Sequence, residues 1–483
     1  MTLSSEKIQQ NQELIGRERE IATLRQIGQS QEAQIVIMYG RRRVGKTELL
    51  EQVYRERHVL KFEGIENKPE AEQYQFVLRQ LGRYTSKPIL SPVTPTCWLD
   101  VFDVIHEHTQ QGLWTIYFEE LQWLADYKDN FISELKVAWD NYFRRNPQLL
   151  LILCGSSPSF MIQHVVHSKA LYNRSQHEMH LQPFSIQETK QFLGRRSNRE
   201  IMNAYLTLGG IPEYLKRIKS ASSLFTGICK QSFTLDGYFS REYKRIFISS
   251  MAESAHYQKI ISFLSQHRFA TREQIATHLA LQTGGHLSKF LEELVYCGFI
   301  KKYSPYNLTE DSKLARYQIN DNYLQFFFKF IQPELSDIET GRYNKQPTAA
   351  LKLDDYHQWL GYAFERYCRD NHHTIANLLG FSGVKYQAGT FYNRATSKED
   401  RGYQLDLIFD RADHVITVCE IKYLQQKADK RVIAPFDKSL SLMPNKKGKT
   451  VHRVLISAEG AEESLVHAHY FDNIITLDDL MVE

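Results

Sequence analysis

The stretch Gly40-Arg41-Arg42-Arg43-Val44-Gly45-Lys46-Thr47 sets two glycines, a lysine and a hydroxyl at the spacing G-x-x-x-x-G-K-[ST]. That spacing suits a phosphate chain. Gly40 and Gly45 let backbone N–H groups close around phosphate oxygens, Lys46 reaches the β- and γ-phosphates, and the Thr47 hydroxyl joins a Mg2+ shell. The flanks agree, because "AQIVIMYG" before the loop reads as a buried strand and "TELLEQVYRE" after it as a helix. A nucleotide with Mg2+ is therefore expected here.

Two further apolar runs end in residues that could act on such a ligand. "LWTIYFEE" closes on Glu119 and Glu120. The first carboxylate is expected to contact the metal and the second to orient and activate water. "LLLILCGSS" closes on Ser156, a side chain able to sense the γ-phosphate. Arg174 in "LYNRSQHEMHLQPF" could stabilise transition-state charge, in its own subunit or a neighbour; a plain surface arginine is the alternative.

A second chemistry is written in the last 130 or so residues. "YHQWLGYAFERYCRDN" is a helix with Glu365, "YQLDLIFD" a strand with Asp406, and "VITVCEIKYL" a strand with Glu420 and Lys422. Strand alternation puts Glu420 and Lys422 on one face and Ile421 on the other. Asp406 and Glu420 could hold Mg2+ against a scissile phosphate while Lys422 activates water. The order helix-Glu, strand-Asp, strand-Glu-x-Lys resembles the PD-(D/E)xK nuclease fold, in which Glu365 would assist the metal. The alternative is a nuclease-like scaffold with a structural Glu–Lys pair.

The elements that must position these residues change in texture along the chain. Strand–helix alternation in the first third implies an α/β domain with a parallel sheet covered on both faces. We expect a P-loop core at 1–184, a helical lid at 185–255, a winged helix at 256–335, a linker at 336–354, and a restriction-endonuclease-like α/β domain at 355–483. The winged-helix reading rests on "YQKIISFLS", "TREQIATHL" and "HLSKFLEELVY", followed by strand-like "FIKKYS" and "ARYQIND". Its third helix carries His286 and Lys289 but also Glu292 and Glu293, and Lys301 and Lys302 could make a basic wing.

The whole chain sets outer limits. Its 483 residues exceed one hydrophobic core, and 42% apolar with 24% charged residues describes a globular protein. A formal charge of +4 gives no global field for nucleic acid, so any basic surface is local. Six scattered cysteines without a CxxC pair argue against a zinc site or disulfide framework. The polar "MTLSSEKIQQNQEL" lacks a signal-peptide core, and no run of about 18 apolar residues suggests a membrane span. A cytoplasmic location without a membrane partner is expected.

"IGREREIATL", "YGRRRVGKTELL", "FEELQWL", "CGSS", "LYNR" and "GGIPEYL" occur in an order that resembles a family of prokaryotic AAA+/STAND-like P-loop ATPases, of the archaeal or DEXX-box type. That resemblance spans nearly the whole chain, since a winged helix and a C-terminal nuclease-like domain recur in the family. It implies ATP as the nucleotide, Arg17 beside it, and Pro212 of Gly210-Ile211-Pro212 near the adenine. It also makes the three loop arginines part of the nucleotide loop rather than a DNA patch. The family usually has Asp where this chain has Glu119, and Gly where it has Asn173. The expected function is ATP hydrolysis that regulates or drives a Mg2+-dependent nuclease on DNA, with a homo-oligomer allowed. The alternative is a signalling ATPase whose last domain only binds a partner or DNA.

Overall fold

The computed structural model describes residues 14–85, 94–250, 255–267, 269–281, 285–303, 315–393, 403–445 and 447–482. Five strands, β1 (Gln34–Tyr39), β2 (His58–Glu63), β3 (Trp114–Glu119), β4 (Leu150–Gly155) and β5 (Ser175–His180), form a sheet in the order β2-β3-β4-β1-β5. All its pairings are parallel. Side-chain alternation splits the strands between two cores: Val36, Met38 and Ile152 face one, Ile35, Ile37 and Leu151 the other. That double burial is why β1, β3 and β4 read as continuous apolar runs. The edge strands β2 and β5 do not: "HVLKFE" and "SQHEMH" are mixed or polar, as strands with one open side can be.

Parallel strands bring their carboxyl ends to one edge, where open α/β sheets bind ligands. The ends of β1, β3 and β4 deliver the loop 40–45, Glu119-Glu120 and Ser156 to that edge.

Beyond β5 the chain is helical, through Ile186–Leu193, Asn198–Leu208, Pro212–Lys219, Leu224–Phe233 and Tyr238–Ser250. Then come helices Ala255–Ser265, Arg272–Leu279 and Gly285–Tyr296 with strands β6 (Ala270–Thr271), β7 (Ile300–Tyr303) and β8 (Arg316–Ile319). The strands make a small antiparallel sheet in the order β6-β8-β7. The β7–β8 connection, 304–314, lies outside the described residues.

The stretch 336–354, expected as a linker, is packed rather than free. It holds a helical turn, Leu335–Glu339, and a 3-10 turn, Pro347–Ala350. Ile338 and Leu351 are buried, and Asn344 Oδ1 accepts from the Leu235 amide at 2.9 Å. Its polar composition hid these anchors.

The last part is a mixed sheet of β9 (Tyr386–Asn393), β10 (Tyr403–Arg411), β11 (Val415–Lys422), β12 (Thr450–Ser457) and β13 (Asn473–Ile475), in the order β13-β12-β11-β10-β9. β9, β10 and β11 pair antiparallel, while β11, β12 and β13 pair parallel. One face packs under the long helix Leu353–Asp370 through Leu407, Cys419 and Ile421; the other meets Phe436. The first of these cores runs without a break back to β1. Polar contacts follow the same route: Tyr423 Oη donates to Asn203 Oδ1 and the Tyr356 and Thr207 hydroxyls meet, both at 2.7 Å. Among the described residues, no helix is long and apolar enough to cross a membrane.

Candidate functional site

The loop after β1 turns on glycine. Gly40 and Gly45 have φ of 155° and 93°, and a Cβ on Gly40 would strike the Leu181 carbonyl. Inside the loop, Lys46 is buried and donates to the carbonyls of Gly40 at 2.8 Å and Arg41 at 3.1 Å. Burial pushes its pKa down from the usual lysine range. Thr47 Oγ1 donates to Glu119, which also pairs with Lys61 at 2.6 Å and accepts from the Tyr117 hydroxyl at 3.0 Å. A hydroxyl and a carboxylate in contact are hard oxygen donors of the kind Mg2+ takes. Lys61, the partner of the other Glu119 oxygen, is a neighbour that the sequence did not disclose.

Glu120 follows in the left-handed region, φ 51°, a conformation that costs a non-glycine residue energy and re-aims its side chain. Its Oε2 accepts from Ser156 Oγ at 2.5 Å and Gln122 Nε2 at 2.7 Å. The candidate water-activating and γ-phosphate-sensing groups therefore touch each other.

The three loop arginines go three ways. Arg41 pairs with Asp321, just past β8, and stacks 4.7 Å from the Phe299 ring. Burial opposes its charge, and Asp321 together with Tyr214 and Cys297 outweighs that effect, raising its pKa. Arg42 turns to Glu120 and Ser156. Arg43 pairs with Glu242, which is 0% exposed and accepts from the Tyr214 hydroxyl at 2.6 Å. In this structure the arginines are tied to other elements of the same chain, which a tripeptide read by itself cannot reveal.

Arg17, 4% exposed, donates to the Val44 carbonyl at 3.1 Å and lies 4.7 Å over Phe184. It lines a cavity of about 670 Å3 beside the loop, with Phe184, Gly210 and Ile211. Gly210 is fixed sterically: Phe184 N donates to its carbonyl at 2.7 Å, and a Cβ would overlap the Phe184 carbonyl. Pro212 opens the next helix. The far wall comes from elsewhere, including Cys297 and Asn320 near the small sheet and Ala363, Arg366 and Tyr367 on the long helix.

Arg174 is occupied differently from the expectation. Its guanidinium makes two bonds to Asp140, of 2.8 and 2.7 Å, and it also donates to the Ala170 carbonyl. Such a bidentate pair holds it on the Asn130–Asn141 helix.

In the mixed sheet, the pairing of β10 with β9 shifts between Leu405 and Ile408, at Asp406. Irregularities of this kind re-aim a side chain. Asp406 Oδ2 accepts from the Ile421 amide at 3.1 Å, and Lys422 Nζ pairs with Glu420 at 2.6 Å. Burial raises the pKa of both carboxyls, with Lys422 opposing it. For Lys422, burial pulls down, while Glu420, Asp406 and Glu365 together prevail and raise its pKa. All four expected residues thus share one electrostatic environment, with Glu365 also 3.6 Å from Arg369. Among the described residues no group of three or more His, Cys, Asp or Glu is placed to hold one metal. Two oxygen-donor carboxylates still fit Mg2+, which keeps several of its waters.

The basic wing is corrected in part. Lys301 pairs with Asp370 at the end of the long helix, and Lys302 is exposed. His286 and Lys289 are exposed too, while Glu293 is buried and accepts from Tyr257.

Residues 14–218 match a family model described as an ATPase domain predominantly from Archaea. An uncharacterized protein of Methanocaldococcus jannaschii, MJECL04, is 26% identical over 363 residues, covering 74% of this chain and 76% of its own length. Similar solved structures include the Walker-type ATPase PABY2304 of Pyrococcus abyssi, 19% identical over 66% of this chain and 97% of that one, with a TM-score of 0.48. Another is the Aeropyrum pernix ORC2 protein in ADPNP–ADP complexes, 12% identical over 69% and 96%, with a TM-score of 0.44. The match takes in Arg17, the loop, the ends of β3 and β4 and most of the Pro212–Lys219 helix, and it supports ATP binding by this part of the chain.

Proposed function

We propose that the chain is an ATP-controlled, Mg2+-dependent nuclease acting on DNA. One observation carries the reading: the long helix Leu353–Asp370 serves two sites. Ala363, Arg366, Tyr367 and Asp370 line the cavity that also holds Arg17, and Glu365 of the same helix adds its charge to those that Glu420 and Asp406 exert on Lys422. On this reading the helix is the route by which occupancy of the first site reaches the second.

At the ATPase site, Lys46 neutralises the β- and γ-phosphates, Ser156 senses the γ-phosphate and Glu120 orients water, while Thr47 and Glu119 would hold a Mg2+ that offsets the phosphate charge. Arg17 and the turn before Pro212 enclose the adenosine. Arg41–Asp321 and Arg43–Glu242 carry the loop's state into the helical region. At the second site, water attacks phosphorus, the bond to the leaving oxygen breaks, and Lys422 orients the attacking water. Mg2+ held by Asp406 and Glu420 would neutralise the scissile phosphate and acidify that water. His286, Lys289 and Lys302 are proposed DNA contacts in a winged-helix module.

The close Glu420–Lys422 pair favours a second reading, a signalling ATPase whose last domain is a binding scaffold. Cleavage assays on linear, circular and single-stranded DNA with Mg2+ separate the two. The nuclease reading expects Lys422→Ala to abolish cleavage and leave ATP hydrolysis intact. A wild type that hydrolyses ATP and cuts no DNA supports the scaffold.

A further inference from the structure

Arg42 is the loop arginine whose polar partners are both candidate hydrolytic groups. Its Nε donates to Ser156 Oγ at 3.3 Å, its Nη2 lies 3.4 Å from Glu120 Oε1, and its guanidinium sits 4.8 Å over the Trp123 ring. Ser156 and Gln122 both donate to the other Glu120 oxygen, and Gln122 also reaches Ser156 at 3.1 Å. One arginine therefore contacts the candidate base and the candidate γ-phosphate sensor together. The other arginine expected near the phosphates, Arg174, is held by Asp140.

Resting on the assignment of Glu120 and Ser156 above, we propose that Arg42 is the γ-phosphate ligand that this chain supplies in cis for ATP hydrolysis. Its hold on Glu120 is long and single-stranded, whereas a phosphate offers three acceptor oxygens and suits the planar fork of arginine. Trp123 stacks the guanidinium and limits its search, and the side chain is 28% exposed, so a nucleotide can reach it. Arrival of the γ-phosphate moves Arg42 off Glu120. A carboxylate relieved of one donor regains a lone pair for the attacking water. The water oxygen then bonds to the γ-phosphorus, the bond to the β,γ-bridging oxygen breaks, ADP leaves with that electron pair, and the water's proton passes to Glu120. The guanidinium stabilises the charge spread over the transferring oxygens.

The test uses the full chain with Arg42→Ala, Arg42→Lys and Glu120→Gln, measuring turnover and the affinities for ADP and the non-hydrolysable analogue ADPNP. Arg42→Ala is expected to lower kcat by roughly 10²–10³-fold, to weaken ADPNP binding, and to leave ADP binding unchanged. Arg42→Lys, which keeps the charge without the fork, is expected to recover part of the rate. Retained ADP affinity shows that the loop still folds. Wild-type turnover in Arg42→Ala overturns the proposal, as does an equal loss of ADP and ADPNP affinity, which would make Arg42 a shaper of the loop. If Glu120→Gln abolishes turnover and Arg42→Ala does not, only the role of Arg42 falls; if Glu120→Gln turns over normally, the Glu120 assignment falls with it.

Discussion

Lys46 is buried and Lys422 half-buried, and they are satisfied in opposite ways. Lys46 rests on neutral carbonyls of its own loop and can leave them for phosphate, whereas Lys422 is paired with a carboxylate. The same burial that unsettles Lys46 raises the pKa of Asp406. A carboxyl whose folded pKa lies above its unfolded value stabilises the fold only at low pH, and that contribution is lost as pH rises through the raised pKa. Asp406→Asn should therefore raise the melting temperature at neutral pH without Mg2+, with the gain disappearing near pH 4, where ordinary Asp carboxyls themselves protonate. Added Mg2+ should stabilise the wild type more than the variant, as read by thermal unfolding; equal Mg2+ shifts in both would contradict the assignment of Asp406 to metal. Glu119, Glu120 and Ser156 could be singled out because residue type and a strand end coincide, and Glu420 and Lys422 because they alternate along an apolar strand. Lys61, Asp321 and Glu242 could not, because the contacts with Glu119, Arg41 and Arg43 that define their roles join residues far apart in the chain.

Among the elements, legibility followed burial. β1, β3, β4, β10 and β11 are written as apolar or alternating runs, and the helices around them as amphipathic stretches. β2 and β5 at the sheet edges, and the two-residue β6, carry too little apolar pattern to stand out. The packed stretch 336–354 looked like a linker because a few anchors, Ile338, Asn344 and Leu351, hold it. Two glycines separate tight joints from plain helix. Gly210→Ala places a Cβ on the Phe184 carbonyl and is expected to cost about 3 kcal/mol and to weaken ADP binding with it. Gly361→Ala meets open space inside the long helix and is expected to stabilise by about 0.5–1 kcal/mol. Chemical denaturation of both variants checks the pair, and a destabilising Gly361→Ala would show that the helix needs that gap.

For the molecule as a whole, one core extends from the ATPase sheet through the helical region to the mixed sheet, so the two sites are joined by close packing. The loop arginines strengthen the joint, since Arg41 and Arg43 each end on a carboxylate outside the parallel sheet. Such connections favour two discrete arrangements over a continuous range, which is what control by a nucleotide requires. The sequence offered two candidate sites and could not disclose that one helix, Leu353–Asp370, carries Glu365 and also lines the cavity beside Arg17. The measurement that bears most directly on this account is the rate of Mg2+-dependent DNA cleavage with no nucleotide, with ADP and with ATP, in wild type and in Lys46→Ala. The account predicts that the wild-type rate changes with the nucleotide supplied and that Lys46→Ala cuts at one rate under all three conditions. A wild-type cleavage rate indifferent to nucleotide would contradict it.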